Sequence, residues 1–408
     1  MKYAILVGDG MGDLPVAELG GRTPLEAAAT PAMDYVARHG ELFLLKTIPD
    51  GYPPGSDVAN LSLLGYQPQD VYSGRAPLEA ASMGIRLAAD EIACRCNLVT
   101  LNQTTAGQVQ MIDYSAGHIS TAEARELISA LDREFGSAPL RLYPGVSYRH
   151  LLVYKGDLAG LTTVPPHDHT GQDVTAFWQR YHAFPLLKNL LAETGPFLAK
   201  HPINRARIQA GKSPANNIWL WGEGRLPAMP TIAELYGVSG ALISAVDLLK
   251  GIGICGGLDV INVPGATGYL DTNYNGKAQA ALAALREKDL VFVHVEAPDE
   301  AGHQGLLKEK IQAIEDFDQK IVKPILEGMT AMDDGRGFRL VVAMDHYTPI
   351  SLKTHISLPV PLALLDSRQI AVDSGRNFSE KNAQAAGCLL DSGPAFFNRL
   401  LAGRPEIS

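Results

Sequence analysis

The chain has few cysteines, no basic run and no long apolar run, and each shortage removes a class of protein. Cysteine occurs only at 94, 96, 255 and 388 of 408 positions, too sparse for a disulfide-built scaffold. Cys94 and Cys96 flank a single residue, which is not the CxxC spacing of a zinc site or a redox pair, so reduced core cysteines are expected. No dense Lys/Arg cluster appears and the formal net charge is −9, which argues against a nucleic-acid partner. An anionic ligand then needs its own local positive pocket. No apolar run reaches the ~20 residues of a membrane span, so no membrane partner is expected. Met1-Lys-Tyr leads straight into a predicted strand with no signal peptide, which points to the cytoplasm. Repeats and low-complexity tails are also missing. What remains, at 46% hydrophobic and 19% charged residues, is an ordinary globular composition, long enough for two domains and a large core.

Against that background the placement of acids and histidines stands out. Val291-Phe-Val-His-Val-Glu-Ala-Pro-Asp299-Glu-Ala-Gly-His303 begins as a buried strand, stops at Pro298, and ends in an acid and an imidazole four residues apart. If the turn is helical, Asp299 and His303 share one side of it and can share a divalent metal. An Asp capping a helix beside a packed His would look the same. Tyr3-Ala-Ile-Leu-Val-Gly-Asp9 is a second apolar strand ending in a carboxylate at a Gly-rich turn, and Leu340-Val-Val-Ala-Met-Asp345-His346 a third. His355 follows just beyond. Strand ends of this kind at distant points in the chain suggest one site on one sheet edge.

The rest of the chain alternates strand and helix signals. Pro24 and Pro31 open two short helical pieces, and Leu42–Ile48 reads as a strand running into a Gly/Pro loop. That loop delivers Ser56 at the first turn of a predicted helix, where free N–H groups and the helix dipole favour a phosphoryl oxygen. Locally the commoner role for such a serine is an N-cap. Residues 78–172 differ in texture: predicted strands at 85–87, 92–101, 108–114 and 140–153 surround a helix opened by a Ser120…Glu123 capping box. This α+β stretch also carries the basic candidates Arg95, His118, Arg149, His150 and the 166–169 Pro-His-Asp-His cluster. Lys212 precedes a Trp-rich strand, and 312–325 reads as an amphipathic helix. The expected architecture is an α/β, doubly wound core in two pieces, 1–77 and 173–408, with an inserted α+β lid domain at 78–172.

The ligands sort into two sets. Asp299, His303 and His355 supply one carboxylate and two imidazoles; Asp9, Asp345 and His346 supply a second site that Ser56 could complete. Two divalent metals about 3.5–4 Å apart can clamp a phosphoryl group and activate a serine hydroxyl. The mixed N/O ligand set suits Mn²⁺, Zn²⁺ or Co²⁺ better than Mg²⁺.

Gly8-Asp9-Gly, Gly55-Ser56-Asp57-Val-Ala-Asn60-Leu, Asp299-Glu-Ala-Gly-His303, Asp345-His346 and Thr354-His355 with Pro359-Val-Pro361 run in order from one end of the chain to the other. In them the sequence resembles the cofactor-independent phosphoglycerate mutases of the shorter, archaeal-type branch, within the alkaline phosphatase superfamily. The resemblance implies an alkaline-phosphatase-like core and a phosphoserine formed on Ser56 while 3- and 2-phosphoglycerate interconvert, a step of glycolysis and gluconeogenesis. It implies a small phosphorylated substrate and two divalent metals, Mn²⁺ first. One metal falls to Asp9, Ser56, Asp345 and His346, the other to Asp299, His303 and His355. It also assigns substrate binding to His118, Arg149 and Lys212. The wording around Ala116-Gly-His118 and Pro144 to His150 resembles a bacterial side branch proposed to phosphorylate homoserine, which is the alternative activity.

Overall fold

The computed structural model describes residues 1–403, which form two compact units: Met1–Tyr72 with the chain from Ala228 onward, and Ser73–Pro227.

The first unit is built on an eight-stranded sheet. Its order is Leu389–Leu390, Glu41–Leu45, Val360–Asp366, Phe338–Ala343, Lys2–Gly8, Leu290–Val295, Gly240–Ile243 and Asp259–Val260. The central strand, Lys2–Gly8, runs parallel to both neighbours, with Gly8 opposite Val295 and Val7 opposite Ala343. Leu290–Val295 and Phe338–Ala343 are buried at every position, which a strand achieves only when helices cover both faces of the sheet. This is the expected α/β core, and its largest buried side chains include Phe43, Phe292, Phe317, Phe396 and Phe397. Val360–Asp366 and Glu41–Leu45 pair antiparallel, so the sheet is mixed at that edge. No helix among the described residues is long and apolar enough to cross a membrane.

The second unit is antiparallel. The thirteen-residue strand Glu91–Gln103 pairs with Arg149–Lys155 on one side, with Asn217–Arg225 on the other, and with Val109–Asp113 near its end. Leu140–Val146 pairs with Arg149–Lys155 as a hairpin, so the single strand expected over 140–153 is two. Ser120 caps the helix Thr121–Phe135 through the capping box with Glu123. Residues 85–87 are not a strand: a helix, Arg75–Ser82, precedes them and the chain then runs irregularly to Glu91. Cys94 and Cys96, two residues apart on one strand, both enter the core with Trp178, Tyr181 and Trp219. All four cysteines are free, although Cys255 and Cys388 are only half-buried.

The boundaries differ from the sequence expectation. The second unit opens at Ser73 and extends to Pro227, where 78 and 172 were expected. Asn217–Arg225 is hydrogen-bonded along Glu91–Gln103, and Leu187, Leu190, Leu191 and Leu198 of the helix Pro185–Lys200 fill the same core as Cys94. A return of helical periodicity after 173 marks a helix, but periodicity does not say which sheet that helix covers.

Candidate active site

Three adjacent parallel strands bring the acids together. Asp9, Glu296 and Met344 each lie just past the carboxyl end of their strand, and those ends share one edge of the sheet. Asp9 is wholly buried at the first of these ends. After Leu290–Val295 the chain turns at once into the helix Ala297–Gln304, with Pro298 in its first turn and Asp299 and His303 one turn apart. Glu296 occupies the cap position there, so Asp299 is not the helix cap. After Phe338–Ala343 come Asp345 and His346, both fully buried, and the loop beyond returns His355.

Every expected metal ligand converges. His303 Nε2 lies 3.2 Å from Asp299 Oδ2 and 2.8 Å from His355 Nε2, while His355 Nε2 is 3.5 Å from Asp299 Oδ1. In the second set, His346 Nε2 is 3.4 Å from Asp9 Oδ1 and 3.5 Å from Asp345 Oδ2. The ligand atoms of Asp9, Asp345 and His346 lie within 4.8 Å of one another, as do those of Asp299, His346 and His355. His346 therefore stands between the two sets rather than wholly in one.

Ser56 is the first residue of the helix Ser56–Leu63, and Gly55 is its cap. The N-cap role is thus taken by glycine, and the serine hydroxyl points elsewhere: Oγ sits 3.1 Å from His346 Nε2. Asn60, one turn on, ties this helix to the second set by donating to Asp345 Oδ2 at 2.9 Å and to the Ser56 carbonyl at 2.8 Å.

The supporting contacts are dense. Gly10 donates its N–H to Asp345 Oδ1 at 3.0 Å, and its φ of +57° suits glycine. A Cβ there would fall 2.4 Å from Asp299 Oδ1 and 2.6 Å from Thr348 Oγ1. The Thr348 hydroxyl donates to Asp299 and lies 3.2 Å from His346 Nδ1, leaving Nε2 to face the cluster. Lys310, fully buried, donates to Asp13 Oδ2 at 2.9 Å and to the carbonyls of Gly12 and Thr348 at 3.1 and 2.7 Å. It thereby locks the turn after Asp9 to the loop after His346.

The electrostatics indicate what the cluster lacks. Burial, with Asp345, Asp299 and Glu296 close by, pushes the Asp9 carboxyl well above its ordinary range. Burial opposes ionisation of Asp299 too, but hydrogen bonds from His303 and His355 hold it well below that range. Burial lowers His303, and Asp299 more than reverses this, raising it to about 9. Burial lowers His346. Neither oxygen of Asp9 receives a well-formed hydrogen bond among the described residues. A buried carboxylate without donors is costly, and a divalent cation between the imidazoles and carboxylates supplies the missing charge. The residues present fit such ions.

The remaining predicted residues lie in the second unit. His118 is exposed, with a positive φ of 46°, and stacks edge-on near Tyr114 and Tyr148. Arg149 is exposed over the Tyr148 ring. Lys212 is exposed in the turn after the helix Pro202–Gln209, so it belongs to this unit and not to the core piece expected to hold it. Arg95 is buried on the Trp221 ring, 4.0 Å from its centroid, and shares Glu79 with Arg75. His150 is buried and accepts from the Gly145 N–H, which makes it structural.

Sequence reasoning gave no role to Asn60, Thr348, His294 or Glu296. His294 had a visible signal, an imidazole inside a strand otherwise made of apolar residues. Thr348 had none, because a short polar residue in a loop is common, while Asn60 stood in the Gly55–Leu61 stretch of the family resemblance without a role of its own.

The likeness to known proteins agrees with this geometry. The sequence pattern of the family described as 2,3-bisphosphoglycerate-independent phosphoglycerate mutase matches residues 37–204. A protein of that name from Methanosarcina acetivorans is 55% identical over 385 residues, spanning 94% of this chain and 95% of the relative. A solved structure from Pyrococcus horikoshii is 30% identical with a TM-score of 0.83, covering 100% of this chain and 98% of its own. The cofactor-independent phosphoglycerate mutase of Thermoplasma acidophilum is 26% identical with a TM-score of 0.64, covering 99% of this chain and 100% of its own. With full-length identity of this order, on a fold that gathers the acids, imidazoles and serine at one sheet edge, the chain belongs to the family of 2,3-bisphosphoglycerate-independent phosphoglycerate mutases.

Proposed function

We propose that the protein interconverts 3-phosphoglycerate and 2-phosphoglycerate without 2,3-bisphosphoglycerate, using Ser56 as the phosphoryl acceptor. The observation that carries this reading is the Ser56 hydroxyl, held at a helix start 3.1 Å from His346 Nε2, in a chain 55% identical to a relative named for that activity. Asp9, Ser56, Asp345 and His346 would hold one divalent cation and Asp299, His303 and His355 the other, Mn²⁺ ahead of Zn²⁺, Co²⁺ or Mg²⁺. When bound, such ions neutralise charge on the phosphoryl oxygens and make the serine hydroxyl more acidic.

The chain's own part is positioning. Ser56 Oγ forms a bond to phosphorus as the bond to the substrate's 3-oxygen breaks, and the 2-oxygen of the retained glycerate then reverses the exchange. Each transfer replaces one P–O bond by another and moves one proton from the attacking hydroxyl to the departing oxygen. Phosphoryl transfer needs alignment and charge neutralisation above all. Asn60 and Thr348 hold the groups that face the reacting atoms, and the positive end of the Ser56–Leu63 helix favours the transferred anion. We assign the binding of the substrate's anionic groups to His118, Arg149 and Lys212 of the second unit. A place in glycolysis or gluconeogenesis in the cytoplasm follows from this activity.

The test is formation of 2-phosphoglycerate from 3-phosphoglycerate by the purified protein, with Mn²⁺ and no bisphosphoglycerate. Chelation should abolish turnover and Mn²⁺ or Co²⁺ restore it. A metal-loaded protein that forms no 2-phosphoglycerate, yet phosphorylates homoserine from a separate donor, would overturn the reading.

A further inference from the structure

A carboxylate stands next to the proposed nucleophile, in the first turn of its helix. Asp57 follows Ser56 in the helix Ser56–Leu63, so its charge sits at the same positive end that the phosphoryl group would use. Both of its oxygens are occupied. Oδ1 accepts the Val58 N–H at 2.9 Å, and Oδ2 accepts the Tyr72 hydroxyl at 2.6 Å. Tyr72 follows the short helix Pro68–Val71, and its ring meets Tyr52 edge-on at 6.2 Å between centroids. Gly55 makes the room. Its φ of −178° is open to any residue, but a Cβ there would fall 2.8 Å from Asp57 Oδ1. The ladder of the helix begins with the Ala59 N–H on the Gly55 carbonyl at 3.0 Å. With Val58 bound to Asp57, the N–H groups of Ser56 and Asp57 have no acceptor among the described residues.

We propose that Tyr72 and Asp57 are positioning residues for the transfer: the Tyr72 hydroxyl holds the Asp57 carboxylate beside Gly55, so that the two open N–H groups stay free for phosphoryl oxygens. The proposal rests on the functional reading above, in which Ser56 accepts the phosphoryl group. An acid in the first turn of a helix is drawn to that turn's free N–H groups, and the bond to Val58 fixes only one oxygen. A carboxylate released onto those groups would take the donors a phosphoryl oxygen needs and repel its charge at short range. The charge-assisted bond from a phenol on a neighbouring element prevents both. An acid present only to stabilise the helix end would need neither the phenol nor the space left by the glycine.

A single-turnover reaction with 3-phosphoglycerate carrying labelled phosphate, quenched in acid, reads the rate at which Ser56 is phosphorylated in the Mn²⁺-loaded protein. Tyr72→Phe should slow that rate about tenfold, the order of one charge-assisted hydrogen bond, with metal content unchanged. Adding Asp57→Asn to Tyr72→Phe should restore most of the loss, because a released amide carries no charge. A merely structural bond predicts the reverse, since the double variant loses a second contact at the helix start. Gly55→Ala should slow labelling as well, by pushing the carboxylate from its place, and it carries the test if Tyr72→Phe fails to fold. Labelling at the wild-type rate in the single variant, or a double variant no faster than Tyr72→Phe, would overturn the positioning role and leave the functional reading standing. No label on Ser56 in the wild type would overturn both readings together.

Discussion

The Thr348 hydroxyl shows how much of the site rests on side chains that hold no reacting group. It donates to Asp299 and lies 3.2 Å from His346 Nδ1, so it orients one ligand from each expected set. Thr348→Val keeps the shape and removes the hydroxyl. It should weaken Mn²⁺ binding about 10–100-fold, the usual effect of losing a partner behind the ligands. Calorimetric titration of the variant checks this, and an unchanged Kd would mean the imidazole needs no such support. At this scale the sequence revealed the charged and imidazole ligands and concealed their braces. Asp9, Asp299 and Asp345 could be read because a carboxylate shortly after an apolar strand recurs at three distant points in the chain. Asn60 and Thr348 could not, since their partners are Asp345 in one case and Asp299 with His346 in the other, remote in sequence or set by a loop's path.

Among the elements, the strand ends were legible because parallel neighbours necessarily present their carboxyl ends at one edge. The extent of the second unit was not, because the Asn217–Arg225 strand is assigned by pairing and not by pattern. A subtler case is the helical run 307–332. The sequence reads as an amphipathic helix over 312–325 within it, but the run carries a π-helical turn at Asp318–Val322. There buried Asp318 accepts the N–H groups of Met33 at 2.7 Å and Ala32 at 3.3 Å. Thr30, the cap residue of the helix Pro31–His39, makes no side-chain cap bond, so Asp318 caps that helix from a distance. Asp318→Ala should therefore cost about 0.5–2 kcal/mol, as loss of a local N-cap does. Urea unfolding measures it, and a change within a few tenths would show that water replaces the carboxylate without loss.

Across the whole molecule, Glu380 is among the carboxyls that should shape the response to pH. Glu380 accepts from the Thr23 hydroxyl at 2.9 Å and the Asp13 N–H at 3.3 Å, yet burial raises it from 4.5 to about 7. A carboxyl raised in the folded state binds its proton more tightly there than in the unfolded chain. Its contribution to stability is thus lost as pH rises from 4.5 through 7. Glu380→Gln should flatten that part of the profile, read as urea midpoints across the same window. An identical slope in the variant would assign the pH response to other groups. The overall α/β architecture was readable from the alternation of strand and helix signals.

The phosphoserine is the claim on which the functional account turns, and it has a direct measurement. Wild-type protein and Ser56→Ala, each loaded with Mn²⁺, are mixed with 3-phosphoglycerate carrying labelled phosphate, quenched in acid, and digested. The account predicts label on the peptide containing Ser56 in the wild type, and neither label nor turnover in the variant, whose fold and metal content stay nearly intact. Turnover retained in Ser56→Ala at unchanged metal content would contradict it.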